Sequence, residues 1–174
     1  MLIAIDHGNK NIKTAHHIFT SGLTESEARP PFGDAVLQVG SKYYMLSEQR
    51  IPYLRDKTVD DRFFILTLFA IALELEVADI SPVDDVVDIQ LAVGLPPLHF
   101  GSQYKRFEEY FQQRDIVDFR FRDKFYSIWI DNVYCYPQAY AAAIACQQVR
   151  EQKKVMILDL GGFTLDYLRL RNGQ

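Results

Sequence analysis

The feature that most constrains this chain is a short pattern that occurs twice, once near each end. IAIDHGNKNIKTA is the first copy and MILDLGGFTLDYL is the second. In both, three apolar residues lead to an aspartate, a polar or glycine-containing turn follows, and a second strand-like segment comes next. Aligned on one another, Asp6 matches Asp159 and Gly8 matches Gly161. Two similar β-hairpins are therefore predicted.

Two such turns suit the binding of phosphate groups. Backbone N–H groups of a turn can converge on anionic oxygens, and small residues such as Gly8 and Gly162 let the backbone approach closely. The two aspartates would repel phosphate by themselves, but Mg²⁺ takes one or two carboxylates together with phosphate oxygens. Lys13 would add positive charge and Thr164 a hydroxyl donor. The repeat thus predicts two facing clamps on the phosphate tail of a nucleotide, with Mg²⁺ between the aspartates.

Several other classes of protein are excluded or disfavoured by the sequence. It contains no G-x-x-x-x-G-K-[ST] motif, and no G-x-G-x-x-G opens a predicted helix. With 19 basic and 23 acidic residues the net charge is −4, which leaves no basic excess for coating nucleic acid. Two cysteines are too few for a disulfide scaffold or a four-cysteine zinc site. No apolar run reaches the ~18 residues of a membrane span, and no signal-peptide pattern opens the chain. We expect a cytoplasmic location, with no direct contact to nucleic acid or membrane.

Between the two copies, apolar periodicity predicts an α/β order with several antiparallel pairs. Thr58 is predicted to cap a long buried helix, and Pro137 to open an alanine-rich helix. Apart from the repeat, the predicted elements are a loop over 20–34, a hairpin over 35–46, helices over 58–78 and about 100–113, a buried strand over 86–95, and an aromatic hairpin over 117–130.

Three stretches resemble the actin/Hsp70/sugar-kinase superfamily of ATPases. DHGNKN at 6–11 is similar to its first phosphate motif, and DLGGFTLD at 159–166 is similar to its second. CYPQA at 135–139 resembles the first connecting segment. Within the superfamily the chain most resembles the ParM-type actin-like proteins of bacteria, plasmids and phages, on these stretches and on GLP at 94–96.

The resemblance implies a fold and a domain plan. It implies an actin-like ATPase domain of the ribonuclease H-like kind, a mixed sheet with flanking helices. Residues 1–150 would form a first domain, with a small inserted subdomain over about 30–58, and residues 151–174 would be a connecting segment and the first hairpin of a second domain. A lone two-stranded hairpin is marginally stable. We therefore expect it to be disordered, to pair with a neighbouring copy, or to fold back on its own domain.

The resemblance also implies roles for individual residues. Asp6 and Asp159 would hold Mg²⁺, and Asp159 would be catalytic together with Gln138, which would orient the attacking water. His7 and Lys10 depart from the small or neutral residues that the superfamily more often has. The residues implied to line the phosphates are Gly8, Asn9, Lys10, Asn11 and Lys13 in the first motif and Gly161, Gly162, Phe163, Thr164 and Asp166 in the second.

The implied function is nucleotide-controlled polymerisation. ATP would favour assembly into filaments, hydrolysis would destabilise them, and a DNA-binding adaptor protein would link the filament to a plasmid or phage DNA that is being segregated. Two alternatives stay open: a small-molecule kinase of the same superfamily, with Asp166 or Asp131 as base, and a non-catalytic interaction module. The adenosine-binding segment of the family would lie beyond Gln174. The 174 residues are therefore expected to be inactive alone and to bind ATP weakly or undetectably.

Overall fold

The computed structural model describes residues 1–31, 33, 35–80, 85–162 and 165–172. Its elements in chain order are β1 (Leu2–His7), β2 (Asn11–Lys13), β3 (Ile18–Thr20), β4 (Leu23–Ser26), β5 (Val36–Val39), β6 (Lys42–Leu46), α1 (Arg62–Val77), β7 (Val87–Leu95), α2 (Pro97–Gln112), β8 (Ile116–Phe121), β9 (Lys124–Pro137), α3 (Tyr140–Ala145), α4 (Gln147–Arg150), β10 (Lys154–Leu160) and β11 (Leu165–Arg171). Within these ranges, no helix has the length and apolar character that crossing a bilayer requires.

One large mixed sheet organises most of the molecule. Among the described residues it has nine strands, in the order β3-β2-β1-β7-β9-β8-β5-β6-β4. The central strands β1, β7 and β9 are parallel, with Ile5 opposite Val93 and Val93 opposite Cys135. Because the carboxyl ends of parallel strands meet at one edge of a sheet, the residues that follow these positions, Asp6, Gly94 and the 136–138 segment, come together there.

Helix α1 fills the core because it is apolar on nearly every side. The helix is buried as predicted, and four of its residues at helical spacing, Phe64, Leu68, Ile71 and Leu75, are all 0% exposed. The helix packs on β1 and β2. Burying large apolar side chains contributes roughly 1.5–3 kcal/mol each. The packing of α1 therefore stabilises the first hairpin in its place within the sheet.

The two predicted helix starts are wrong. Helix α1 begins at Arg62 rather than at Thr58. The hydroxyl and N–H of Thr58 both donate to the Asp56 carboxylate, at 2.7 and 2.9 Å, so a local turn uses the groups that would have capped the helix. Pro137 ends β9 instead of opening a helix, and α3 begins only at Tyr140.

Two other segments differ from their predictions. The predicted loop over 20–34 contains strand β4, which pairs antiparallel with β6. The second strand of the first hairpin is interrupted at Thr14–His17, where the Thr14 N–H donates to the His17 carbonyl at 2.9 Å. The turn separates β2 from β3, which still pair with each other.

The hairpin over 35–46 and the aromatic hairpin are confirmed, the latter with its turn at Arg122 and Asp123. Strand β9 continues past the predicted end at residue 130 to Pro137. Its aromatic residues are divided by the pleat: Tyr126 is buried, whereas Trp129 is 44% exposed. The aromatic residues on one face of this hairpin therefore pack into the core, and those on the other face are exposed.

The second copy of the repeat also folds as a hairpin. Strands β10 and β11 form a separate sheet, which has two strands in the described part of the chain. The hairpin contacts α2, and Leu170 on its inner side is buried. This agrees with one of the three expected alternatives, in which the hairpin folds back on the preceding residues. Its other face carries exposed apolar side chains, at Met156, Leu158, Leu160, Leu165 and Tyr167.

Candidate functional site

The first turn of the repeat connects β1 to β2, and Ser21 forms two hydrogen bonds to its backbone. The Ser21 hydroxyl donates to the Gly8 carbonyl at 2.6 Å, and the Ser21 N–H donates to the Lys10 carbonyl at 3.0 Å. A Cβ atom added at Gly8 would lie 2.6 Å from the Asn11 carbonyl oxygen. The turn is therefore tight enough to require glycine, and its backbone is fixed from the side of Ser21.

Asp6, at the end of β1, accepts hydrogen bonds from two of the predicted site residues. The Lys13 ammonium lies 3.3 Å from its Oδ2 atom, and the Gln138 amide donates to Oδ1 at 2.9 Å. The side chains of Lys13 and Asp6 are 52% and 41% exposed, so this pair is open to solvent and contributes little to stability. It places one positive and one negative group at the mouth of a cleft.

Gln138 is held by its backbone and by its side chain. Its N–H donates to the Leu95 carbonyl at 2.7 Å, and its amide reaches the Gly94 carbonyl at 3.4 Å as well as Asp6. The next residue, Ala139, has a φ of 65°, in the left-handed region that alanine rarely adopts. These contacts direct the Gln138 side chain back towards the end of β1.

The second turn lies against the first. A Cβ atom added at Gly162 would lie 2.6 Å from Cβ of Lys10. Asp159 and Asp166 are direct cross-strand partners in the hairpin, so their carboxylates leave the same face of the two-stranded sheet. Like charges that oppose one another across a ladder destabilise it, and a cation beside them would relieve that repulsion.

Both turns wall one cleft of about 440 Å³. All of the described residues that are implied to bind phosphate or Mg²⁺ line it, and so does Gln138; Phe163 and Thr164 lie outside the described residues. The lining residues are Asp6, Gly8, Asn9, Lys10, Asn11, Lys13, Arg50, Gln138, Asp159, Leu160, Gly161, Gly162 and Asp166. A second, more apolar cavity of about 390 Å³ shares Asp6, Lys13, Gln138 and Asp159 with the cleft, so these four side chains stand between the two spaces.

The cleft fits Mg²⁺ in its donor chemistry. It holds the carboxylates of Asp6 and Asp159, with Asp166 beside them, and Mg²⁺ uses one or two carboxylates and completes its shell with water and phosphate. Among the described residues no three His, Cys, Asp or Glu side chains cluster into an all-protein metal site. Asp6 and Asp159 are the carboxylates of the cleft that would suit Mg²⁺.

Two cations near the cleft were not anticipated from the sequence. Arg50 lines the cleft from the segment between β6 and α1, 3.5 Å from the position of a Cβ atom added at Gly162. Hydrogen bonds fix this segment to the first hairpin: Ser47 N–H donates to the Gly22 carbonyl at 3.0 Å and Ile51 N–H to the Ser21 carbonyl at 2.8 Å. No local pattern marks Arg50, because only the fold brings it to the cleft.

The other cation, Lys57, is buried behind the first turn and donates to the carbonyl oxygen of His7. The His7 ring points away from the cleft, into the core. It bonds Thr67 Oγ1 at 2.7 Å and stacks on Phe111. Burial, with a smaller effect of Lys57, lowers the pKa of His7 to about 3. This unusual residue is therefore a neutral core side chain, not a phosphate ligand.

The fold is known from other proteins. The family model of the N-terminal domain of actin-like proteins matches residues 4–140. A comparison with curated protein sequences finds no significant match.

Solved structures give the same picture of the fold. An AlfA filament bound to AMPPNP has a TM-score of 0.75 at 16% identity, over 99% of this chain and 66% of that one. The apo psk41 ParM protein has a TM-score of 0.78 at 15% identity, over 99% and 62%. A 15-stranded ParM filament from Clostridium botulinum has a TM-score of 0.72 at 21% identity, over 98% and 58%. The chain thus shares their mixed α/β fold and spans about three fifths of their length.

Proposed function

This chain belongs to the family of actin-like proteins, whose N-terminal domain it matches over residues 4–140, and we propose that the whole protein is a nucleotide-dependent, filament-forming ATPase. The observation that carries the proposal is the single cleft walled by both turns, with Asp6, Asp159 and Gln138 around it. Residues 1–150 would be the first domain, with a small inserted subdomain over about 30–58, and residues 151–174 the start of the second.

ATP is the ligand that best suits the cleft. Its two turns offer backbone N–H groups from glycine-rich segments, which favour anionic oxygens. Lys10, Lys13 and Arg50 line the same space and add positive charge, and an arginine can hold two phosphate oxygens at once. The AlfA filament, which has the same fold, is bound to AMPPNP. The triphosphate would therefore lie between the turns, with Arg50 against its outer phosphates.

Asp6 and Asp159 would hold Mg²⁺, which when bound would neutralise phosphate charge and act as a Lewis acid. Gln138 would place a water molecule in line with the γ-phosphorus. That water would form the new P–O bond while the bond to the bridging oxygen breaks, and its proton would pass to a phosphate oxygen, giving ADP and inorganic phosphate. An amide is too weak a base to take the proton of the water, so the role of Gln138 would be orientation. Its hydrogen bond to Asp6 fixes the amide for that role.

Self-assembly is the proposed consequence of nucleotide binding. AlfA and ParM, two relatives in fold, form filaments. By likeness to such proteins we propose a role in plasmid or phage DNA segregation, in which a DNA-binding adaptor protein contacts the filament. The acidic balance of the chain agrees with an indirect contact to DNA. The cytoplasmic location stays a prediction.

Light scattering of the full-length protein tests the proposal. With Mg²⁺ and ATP the signal should rise and then fall as ATP is hydrolysed. Gln138→Ala should let the signal rise but delay its fall, because assembly needs binding and disassembly needs hydrolysis. A wild-type protein that binds no ATP, or that gives no ATP-dependent scattering at any concentration, would contradict the filament function. ATP binding without hydrolysis or assembly would favour an interaction module instead.

A small-molecule kinase is the second candidate function, and one observation favours it. Asp166 lines the cleft beside Asp159, where a carboxylate could accept the proton of a substrate hydroxyl. Asp131, the other candidate base, is not among the residues that line the cleft. A coupled assay with ATP and a panel of sugars and polyols distinguishes the two functions, because only the kinase yields a phosphorylated small molecule.

A further inference from the structure

Lys57 is a buried cation at a position where an apolar side chain would serve the packing of the fold. It is 4% exposed and lies in the segment before α1. Its ammonium donates to the His7 carbonyl and lies 5.2 Å from the centre of the Phe63 ring. Taking an ammonium out of water carries a large desolvation penalty, which one carbonyl and one ring face offset only in part.

The ionisation of Lys57 reflects that cost. Burial lowers the pKa of Lys57 to about 8, and attraction to Asp6 offsets only part of the effect. An apolar side chain of similar length would avoid the penalty, since replacing buried charges by well-packed apolar groups is often neutral or stabilising. A residue that is costly to the fold and lies beside a ligand site is a candidate for function.

The geometry of the peptide group shows what Lys57 can do. His7 is the last residue of β1 and Gly8 is the first of the turn. The described residues contain no cis peptide bond, so the carbonyl of His7 and the N–H of Gly8 point in opposite directions across one planar group. Lys57 holds that carbonyl on the core side, and the Gly8 N–H is thereby directed to the opposite side. Gly8 lines the cleft.

We propose that Lys57 is a positioning residue of the phosphate site: its ammonium fixes the His7–Gly8 peptide so that the Gly8 N–H faces the bound phosphates, and it supplies a fixed positive charge behind the turn. The inference rests on the proposed nucleotide function and deepens it. Lys57 does not touch the ligand; it acts through the backbone of the first turn. Asp6, whose carboxylate attracts this ammonium, belongs to the same site.

The test compares two substitutions, each of which removes a different contact to His7. Lys57→Met removes the charge and keeps the length of the stem. Thr67→Val removes the neutral hydrogen bond to the His7 ring and leaves Lys57 in place. In the full-length protein, the affinities for Mg²⁺-ATP and for adenosine, the kcat and KM for hydrolysis, and the unfolding temperature are measured for both variants and the wild type.

Lys57→Met is expected to weaken ATP binding about tenfold or more, the loss that corresponds to one charge-assisted hydrogen bond, and to leave adenosine binding unchanged. Its KM should rise more than its kcat falls, and its unfolding temperature should not lie below that of Thr67→Val. Equal losses for ATP and adenosine, or ATP affinity as in the wild type, would overturn the proposal.

Lys57→Arg and Lys57→Gln keep the test decisive if the methionine variant does not fold. Arginine retains the charge and should retain most of the ATP affinity, whereas glutamine offers only a neutral donor and should not. Equal ATP affinity in these two variants would refute a role for the charge. A wild-type protein that binds no ATP would refute the proposed function itself. If the wild type binds ATP and the variants bind it equally well, only the role of Lys57 is refuted.

Discussion

At the scale of single residues, one glycine determines how closely the two turns approach. A Cβ atom added at Gly162 would lie 2.6 Å from Cβ of Lys10, closer than real Cβ contacts come. Gly162→Ala should therefore push the turns apart and weaken ATP binding by the full-length protein about tenfold or more, since phosphate contacts on both sides lengthen.

Gly101→Ala is the matched control for this substitution. A Cβ atom added at Gly101, in α2, meets nothing within 4 Å, and alanine in a helix interior is favoured over glycine by about 1 kcal/mol. The control should keep wild-type affinity in the same ATP titration. If both variants bind ATP as the wild type does, the close approach of the turns has no part in binding.

Arg50 gives a second prediction at this scale. If its guanidinium contacts phosphate, Arg50→Gln removes a charge-assisted contact worth about 1.5–3 kcal/mol, which is roughly a ten- to hundredfold loss of ATP affinity. Binding of adenosine should change little. Arg55→Gln, an exposed arginine five positions further along, serves as control. Calorimetric titration of the full-length protein checks both, and an equal effect of the two substitutions would argue against a specific contact.

The sequence points to the residues that line the cleft more readily than to the residues that support them. Asp6, Gly8 and their counterparts in the second copy are visible because the chemistry lies in local motifs, and the fold brings them to one cleft. Lys57 and Arg50 are not visible in this way. Lys57 bonds a residue 50 positions earlier, and a lysine before a helix has no pattern that distinguishes it from a solvated side chain.

At the scale of elements, α1 holds the turn between β2 and β3 through one buried carboxylate. Glu74 is 5% exposed and accepts hydrogen bonds from the Thr14 hydroxyl and from the N–H and ring of His16, the ring at 2.7 Å. Burial by itself raises the pKa of Glu74, but these hydrogen bonds outweigh it and hold the pKa below the ordinary value of 4.5. The turn adjoins Lys13, so Glu74 supports one edge of the site.

The sign of the pH effect follows from that shift. Because the folded-state pKa is depressed, the contribution of Glu74 to stability is present above pH 4.5 and is lost as the pH falls through the folded-state value. Glu74→Gln should lower the free energy of unfolding by about 1–3 kcal/mol at neutral pH, and the difference from wild type should shrink in acid. Urea unfolding at several pH values measures this. Glu109→Gln, on an exposed position of α2, should show no such pH dependence.

Elements whose pattern is local are the ones that the sequence predicts well. The hairpin over 35–46 and the buried face of α1 follow from alternation and helical spacing. Strand β4 is missed because LTES offers a single apolar residue, and its strand conformation comes from pairing with β6, where Leu23 lies opposite Leu46. The start of α1 is predicted at the wrong residue because the Thr58 hydroxyl donates a hydrogen bond to the Asp56 carboxylate instead of capping the helix. Tertiary pairing and competing local hydrogen bonds are the physical reasons for the misses.

At the scale of the whole molecule, the lining of the cleft consists mainly of glycines and of polar and charged side chains. Contacts between exposed charges in water are individually weak. We therefore expect the 174-residue chain to bind ATP weakly or undetectably, with calorimetry as the measurement. Micromolar affinity would contradict this expectation and would indicate that the second, more apolar cavity beside Gln138 takes the base.

The two walls of the cleft belong to sheets that share no ladder in the part of the chain that the structure describes. A bound anion would therefore act as a cross-link between them. If the bound anion raises the equilibrium constant for docking of the β10–β11 hairpin by some factor, thermodynamic linkage requires that docking raises the affinity for the anion by the same factor. Amide hydrogen exchange along β10 and β11 would then slow in proportion to ligand occupancy. The second hairpin thus becomes a reporter of the site whose wall it forms.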